Sequence, residues 1–196
     1  QSCISVQRIY AHEAIYDDLR DKVCVRAREL RLGDPLQDET DVGPMIDAGA
    51  VERIEAWIES AVSDGAEVLV GGKSQGPIFE PTVMANVPSG SRLCTDEAFA
   101  PVVVLDRFHE FDDAVTSMNQ SRFGLQAGIF TRDLNHVFRA FTDLEVGGVI
   151  VNDVPTFRAD PMPYGGVKDS GLGREGVRFA IEELTETRLL VLRSGG

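Results

Sequence analysis

Apolar residues change period along this chain, and the changes predict its elements. Residues 6–11 form a short, partly apolar run, read as a strand. Ile15, Leu19, Val23, Ala27 and Leu30 then recur at helical spacing among charges. Leu32-Gly33-Asp34-Pro35 ends that helix with Gly and Pro. Val51, Ile54, Ile58, Ala61 and Val62 mark a second amphipathic helix, closed by Gly65. Residues 67–70 predict a strand before the Gly71-Gly72 turn, and residues 82–87 another. The unbroken apolar run over 101–105 predicts a strand buried on both faces. A helix is expected from Phe111-Asp112-Asp113, a strand over 125–131, and a helix over 134–144 capped by Asp133. Residues 148–152 read as a further buried strand, 174–185 as a helix and 188–193 as a last strand.

Alternating strands and helices predict an α/β fold: a three-layer domain with a mostly parallel sheet and helices on both faces. There is no repeat, low-complexity tract or linker, so residues 1–196 read as a single domain. The Pro- and Gly-rich stretch over 153–173 is too long for an idle connection in a compact domain, and such loops tend to carry function.

Composition narrows the chemistry. Nineteen Lys and Arg against 32 Asp and Glu give a net charge of −13, which repels phosphate backbones, so no nucleic-acid partner is expected. No apolar run reaches the roughly 18 residues of a membrane helix, and no secretory leader is visible. Cys3, Cys24 and Cys94 are odd in number and widely spaced; they predict neither disulfides nor a metal site, and fit a reducing cytoplasm. His12, His109 and His136 share no metal spacing, so metal ligands are expected to be none.

Two glycine patterns mislead. The segment from Gly171 to Gly176 matches G-x-G-x-x-G, but the run from Pro161 to Gly166 before it reads as no strand, and the chain ends before a following strand could present the ribose ligand. Gly72-Lys73-Ser74 has the tail of a phosphate loop but has Glu67 where the first glycine is required.

Three segments, in order, carry a resemblance. Gln1-Ser2-Cys3-Ile4-Ser5-Val6-Gln7-Arg8 resembles the catalytic cysteine segment of the NAD(P)-dependent aldehyde dehydrogenase superfamily. Asp96-Glu97-Ala98-Phe99-Ala100-Pro101 resembles its cofactor-contacting segment. Asn152, followed by the run from Met162 to Gly171, resembles its C-terminal active-site loop. Gly33-Asp34-Pro35, Gly43-Pro44-Met45-Ile46, Gly71-Gly72-Lys73 and Phe123-Gly124-Leu125 lie between them in the family's order. The resemblance covers essentially the whole chain and implies the cysteine-bearing catalytic domain alone. The family's cofactor-binding domain, general-base glutamate and oxyanion-binding asparagine would lie upstream of Gln1. The isolated chain is therefore expected to be nearly inert.

The resemblance assigns roles. Cys3 is the nucleophile: its thiolate adds to an aldehyde carbon, hydride leaves to NAD or NADP, and water hydrolyses the resulting thioester to a carboxylic acid. Taken alone, one thiol reads as a small buried hydrophobe, which stays the reading for Cys24 and Cys94. Glu97 is expected to accept hydrogen bonds from the cofactor's ribose diol, with Phe99 against the nicotinamide. Without the resemblance, Glu97 reads as a surface acid and Phe99 as core. Asn152 ends a strand, where it reaches a site at the sheet's carboxyl edge or simply closes a turn. Phe157, Arg158 and Tyr164 are expected to line the substrate entrance. A guanidinium at 158 can clamp an anionic group on the far end of a small acidic or hydroxylated aldehyde. Residues 187–193 are expected to pair with another subunit in a homodimer or homotetramer. Two alternatives stand beside this reading: a cofactor-free cysteine acyl-transferase or esterase, and a non-catalytic binding or assembly module.

Overall fold

The structure is a computed structural model and describes residues 1–193 and 195. After the segment carrying Cys3, strand β1 (Arg8–His12) runs straight into helix α1 (Glu13–Glu29). His12 Nδ1 accepts the Ala14 N–H and caps it. Helix α2 (Ala48–Ser63) is capped by Asp47, whose carboxylate accepts the Ala50 N–H at 2.7 Å. It ends at Gly65, where φ of 102° is open to glycine and costly to other residues. There follow β2 (Glu67–Val70), the short hairpin β3 (Ser74–Gln75) and β4 (Ile78–Phe79), β5 (Thr82–Ala85), the single-turn α3 (Arg92–Thr95) and β6 (Val102–Phe108).

These strands form one sheet in the order β1-β6-β5-β2. Strand β6 is parallel to both β1 and β5, and β2 joins antiparallel at the edge. Successive side chains point to opposite faces. Val83 and Leu105, with the partly buried Val103, meet Tyr16 and Cys24 of α1. Met84, Val102 and Val104 meet Ile54, Trp57 and Ile58 of α2 and Leu93 of α3. The expected layering, helices on both faces of a mostly parallel sheet, is what the chain builds. Thr82 is buried at the centre; its hydroxyl donates to the Glu80 carbonyl and accepts the Gly72 N–H, so no polar atom there is stranded.

The rest of the chain makes a second cluster: α4 (Phe111–Asn119), β7 (Phe123–Gly124), β8 (Gln126–Ile129), α5 (Leu134–Asp143), β9 (Gly148–Val151), β10 (Val167–Lys168) and α6 (Val177–Leu184). Strands β8 and β9 pair in parallel as a separate two-stranded sheet, and β7 pairs antiparallel with β10. Ala127, Ile129 and Val149 pack on Val115 of α4 and Ala140 of α5.

Three expectations change. The strand over 148–152 is half-buried rather than buried, because its two-stranded sheet packs one face on α4 and α5. The last helix starts at Val177, since Gly176 precedes it with φ of 116°. Residues 188–193 form no strand and are exposed, because a strand exists only through ladder bonds to a neighbour, and the described residues offer none there.

Candidate active site

Cys3 sits in a turn, its segment tied by the Ser5 N–H to the Ser2 carbonyl. The residue is exposed, and its Sγ lies 2.9 Å from the hydroxyl of Tyr164. Tyr164, itself 5% exposed, comes from the long Pro- and Gly-rich loop. The other two cysteines differ: both are buried, and burial raises their thiol pKa values, the setting of an inert structural cysteine.

The two residues line a cleft of about 300 Å³ with Gly165, Ser170, Arg174 and Glu175. Its wall is built by short-range bonds. Tyr164 and Glu175 exchange backbone hydrogen bonds at 3.1 and 2.6 Å. Arg174 donates to the carbonyls of Gly166 and Gly173, and its own N–H is taken by Glu183. Ser170 Oγ accepts the Gly124 N–H, joining the loop to β7. A Cβ at Gly147 would collide with the Gly165 carbonyl, so only glycine permits that approach. The glycine-rich pattern over 171–176 contributes Leu172, Gly173, Arg174 and Glu175 to the cleft wall, and the strand that precedes it, β10, is only two residues long and pairs antiparallel with β7.

Arg158 stacks over the Tyr164 ring, its guanidinium carbon 4.0 Å from the centroid. Its Nη2 donates to the Glu175 carboxylate at 3.0 Å. A chain of contacts therefore runs Glu175, Arg158, Tyr164, Cys3. Burial of the ring, then the bond with Cys3, push the Tyr164 hydroxyl up to about 12. It stays protonated through neutral pH, so toward a thiolate it is the donor.

Tyr164→Phe removes that donor with little change of shape. Alkylation of Cys3 by iodoacetamide at neutral pH, followed by mass spectrometry, is expected to slow about fivefold or more. An unchanged rate would show that the hydroxyl does not support the thiolate. The raised pKa also has a stability consequence. The fold favours the neutral ring, a contribution fully present below about pH 10, the ordinary tyrosine value, and lost as pH rises through about 12. That part of alkaline destabilisation should vanish in the variant.

Glu97 and Phe99 lie on the loop after α3. Ala98 and Ala100 are buried, whereas Glu97 and Phe99 face outward. Phe99 has a left-handed φ of 48°. Among the described residues Glu97 makes no ion pair and no side-chain hydrogen bond, so its carboxylate is available to a ligand's hydroxyls. Phe99, 41% exposed, is not core. Phe157 is exposed, one residue from Arg158, and does not line the cleft wall. Asn152 is exposed with φ of 57°, and its Oδ1 accepts the Thr131 N–H at 3.0 Å; those bonds give it a turn-closing role.

The histidines are engaged elsewhere: His12 caps α1, His109 pairs with Glu13 and His136 stacks on Phe111. Sequence reading missed Gln7 and Glu175. Nothing in their local sequence marks them, because each acts on a residue distant along the chain.

The profile of the aldehyde dehydrogenase family matches residues 1–190. A protein named 3-sulfolactaldehyde dehydrogenase from Priestia aryabhattai is 46% identical over 192 residues, which are 98% of this chain and 40% of that protein. The crystal structure of aldehyde dehydrogenase 21 from Physcomitrella patens, in complex with the reaction product succinate, superposes with a TM-score of 0.95 at 45% identity, covering 98% of this chain and 40% of that one. Glyceraldehyde-3-phosphate dehydrogenase from Methanocaldococcus jannaschii, complexed with NADP, gives a TM-score of 0.89 at 42% identity, covering 93% of this chain and 40% of that one. The chain thus spans about 40% of the length of these relatives. An exposed cysteine held beside a loop tyrosine, a mostly parallel sheet layered by helices, and a profile match along nearly all of its length make this chain a member of the aldehyde dehydrogenase family.

Proposed function

We propose that this chain is the cysteine-bearing part of an enzyme that oxidises a small anionic or hydroxylated aldehyde to a carboxylic acid with NAD or NADP. The observation that carries the reading is the exposed Cys3 sulfur, 2.9 Å from a tyrosine hydroxyl that stays protonated. The sulfur adds to the aldehyde carbon: its electron pair forms the C–S bond while the C=O π pair moves to oxygen, which takes up the proton the thiol gave up, and a thiohemiacetal results. The Tyr164 O–H steadies the sulfur before attack. When bound, the nicotinamide supplies the hydride acceptor that makes oxidation to a thioester possible. Cys3 holds that acyl group until water displaces it, returning the thiol and releasing the acid. Glu97 and Phe99 would hold the cofactor's ribose and nicotinamide edge, and the rest of the protein would supply the base and the remaining cofactor site. Residues 187–193 would find their strand partner in a second copy.

The proposed anionic substrate class rests on the relatives and on Arg158, which does not line the cleft itself but contacts two residues that do, Tyr164 and Glu175. The relatives' names and ligands include a sulfonated aldehyde, the dicarboxylate succinate and a phosphorylated aldehyde. Nη2 of Arg158 is committed to Glu175, and its other donors are open to a ligand. In the full-length protein, assayed by nicotinamide reduction, Arg158→Ala is expected to raise KM about tenfold for a carboxylate- or sulfonate-bearing aldehyde and to leave a neutral aldehyde nearly unaffected. An equal rise for both would assign Arg158 to packing on Tyr164 instead. Failure of the full-length protein to reduce either cofactor with any such aldehyde would overturn the reading.

A further inference from the structure

Gln7 connects the two halves of the site. It immediately precedes β1, and its carbonyl accepts the N–H of Val104 in β6 at 2.9 Å. Its side chain grips the loop after α3 with three bonds. Nε2 donates to the carbonyl of Leu93 at 2.9 Å and to that of Asp96 at 2.8 Å. Oε1 accepts the N–H of Ala98 at 3.0 Å. Both amide hydrogens and the acceptor are used, so the carboxamide can sit only one way round. Ala98 is held through its next peptide group too: Arg53 of α2 donates to its carbonyl at 2.9 Å. Leu93 and Asp96 offer the last carbonyls of a helical turn, groups that lack partners within the helix. Gln7 satisfies them and at the same time fixes the direction in which the chain enters Glu97 and Phe99.

We infer that Gln7 is a positioning residue that sets Glu97 and Phe99 relative to the sulfur of Cys3, so that the cofactor edge and the nucleophile keep one spacing. The inference rests on the proposed role of Glu97 as a cofactor ligand. Gln7 lies four residues from Cys3 in the chain and is bonded to the residue next to Glu97, so the path between the two groups is short: the turn that carries Cys3, then the hydrogen bonds of one side chain. A loop bearing a charged residue and an aromatic in a left-handed conformation needs such outside support, because its own backbone does not favour the shape.

The test uses the full-length protein and three variants. Gln7→Leu keeps the bulk and removes all three bonds. Cofactor affinity, measured by titration with NAD or NADP in the absence of aldehyde, is expected to weaken about tenfold. The alkylation rate of Cys3 without cofactor should stay within about twofold, which separates positioning from general loosening. Gln7→Glu keeps the bond from Ala98 and loses both donations, so it is expected between the two, and it serves if Gln7→Leu does not fold. Glu97→Ala completes a cycle: if Gln7 acts through Glu97, the Gln7 substitution adds little once Glu97 is gone. Full additivity would overturn the inference, as would unchanged cofactor affinity in Gln7→Leu and Gln7→Glu while Glu97→Ala weakens it. Unchanged affinity in Glu97→Ala would overturn both the inference and the cofactor role beneath it.

Discussion

In the full-length protein, Cys3→Ser is expected to lower aldehyde oxidation by at least about a thousandfold, some 4 kcal/mol of lost transition-state stabilisation. The reason lies in the element. A serine hydroxyl remains neutral at physiological pH, and no imidazole stands beside residue 3 to take its proton. Tyr164 offers a donor that can steady an anion, and its raised pKa prevents it from serving as a base near neutrality. Sulfur also leaves the acyl group more readily than oxygen. Cofactor titration should be unchanged in the same variant, since Cys3 is not proposed to hold the nucleotide. Turnover within about tenfold of the parent would remove Cys3 from the chemistry. Turnover of a p-nitrophenyl ester by the isolated chain, abolished in Cys3→Ser, would point to the cofactor-free acyl-transfer reading.

The second large effect is on stability. Leu93 is fully buried between α2 and the sheet, in the core that also holds Ile54, Phe79 and Met84. Leu93→Ala removes three carbons and leaves a cavity in a layer packed on all sides, a loss of about 3 kcal/mol. For a chain of this size that corresponds to a fall in Tm of about 6–12 °C. The site should feel it, because the Leu93 carbonyl is one of the two that Gln7 holds. Cofactor affinity of the full-length protein is therefore expected to fall together with Tm. A loss below about 1 kcal/mol would show that α3 collapses onto the gap. Retained affinity at reduced Tm would show that the loop is held by Gln7, Arg53 and its ion pairs without the packing beneath it.

Those ion pairs show how tertiary contacts serve the site at modest energy. Arg122 donates to Asp96 at 3.0 Å and to Asp169 at 3.2 Å, linking the loop of Glu97 to the loop that follows Tyr164. The pairs are exposed and individually worth little. Their geometric effect is to hold two loops in register, and the Arg92 and Arg122 guanidinium groups, Arg92 first, lower the Asp96 pKa.

Much of the fold was legible from period and punctuation. The alternation of apolar spacing located α1, α2, β2, β5, β6, α5 and β9, since burial of one face imposes a helical or extended period on the residues themselves. Asp133 as a cap and Gly65 as a stop were equally local facts. The last strand over 188–193 was not decidable from its apolar content, because pairing is a property of two segments. The burial of β9 was overestimated for the same kind of reason: its apolar residues say that it packs, and only the sheet shows how many faces are covered.

The sequence by itself determined the family, the layered α/β fold and the residue types of the site, because these rest on local periodicity and on an ordered set of short motifs. Cys3, Glu97 and Tyr164 could be named from those motifs. Only the tertiary structure decided that Tyr164 turns its hydroxyl to the sulfur, that Arg158 is shared between Glu175 and the Tyr164 ring, and that a carboxamide beside β1 holds the Glu97 loop. Each of these is a contact between residues far apart in the chain. Its geometry depends on where the backbone of both partners is placed, which no local pattern carries.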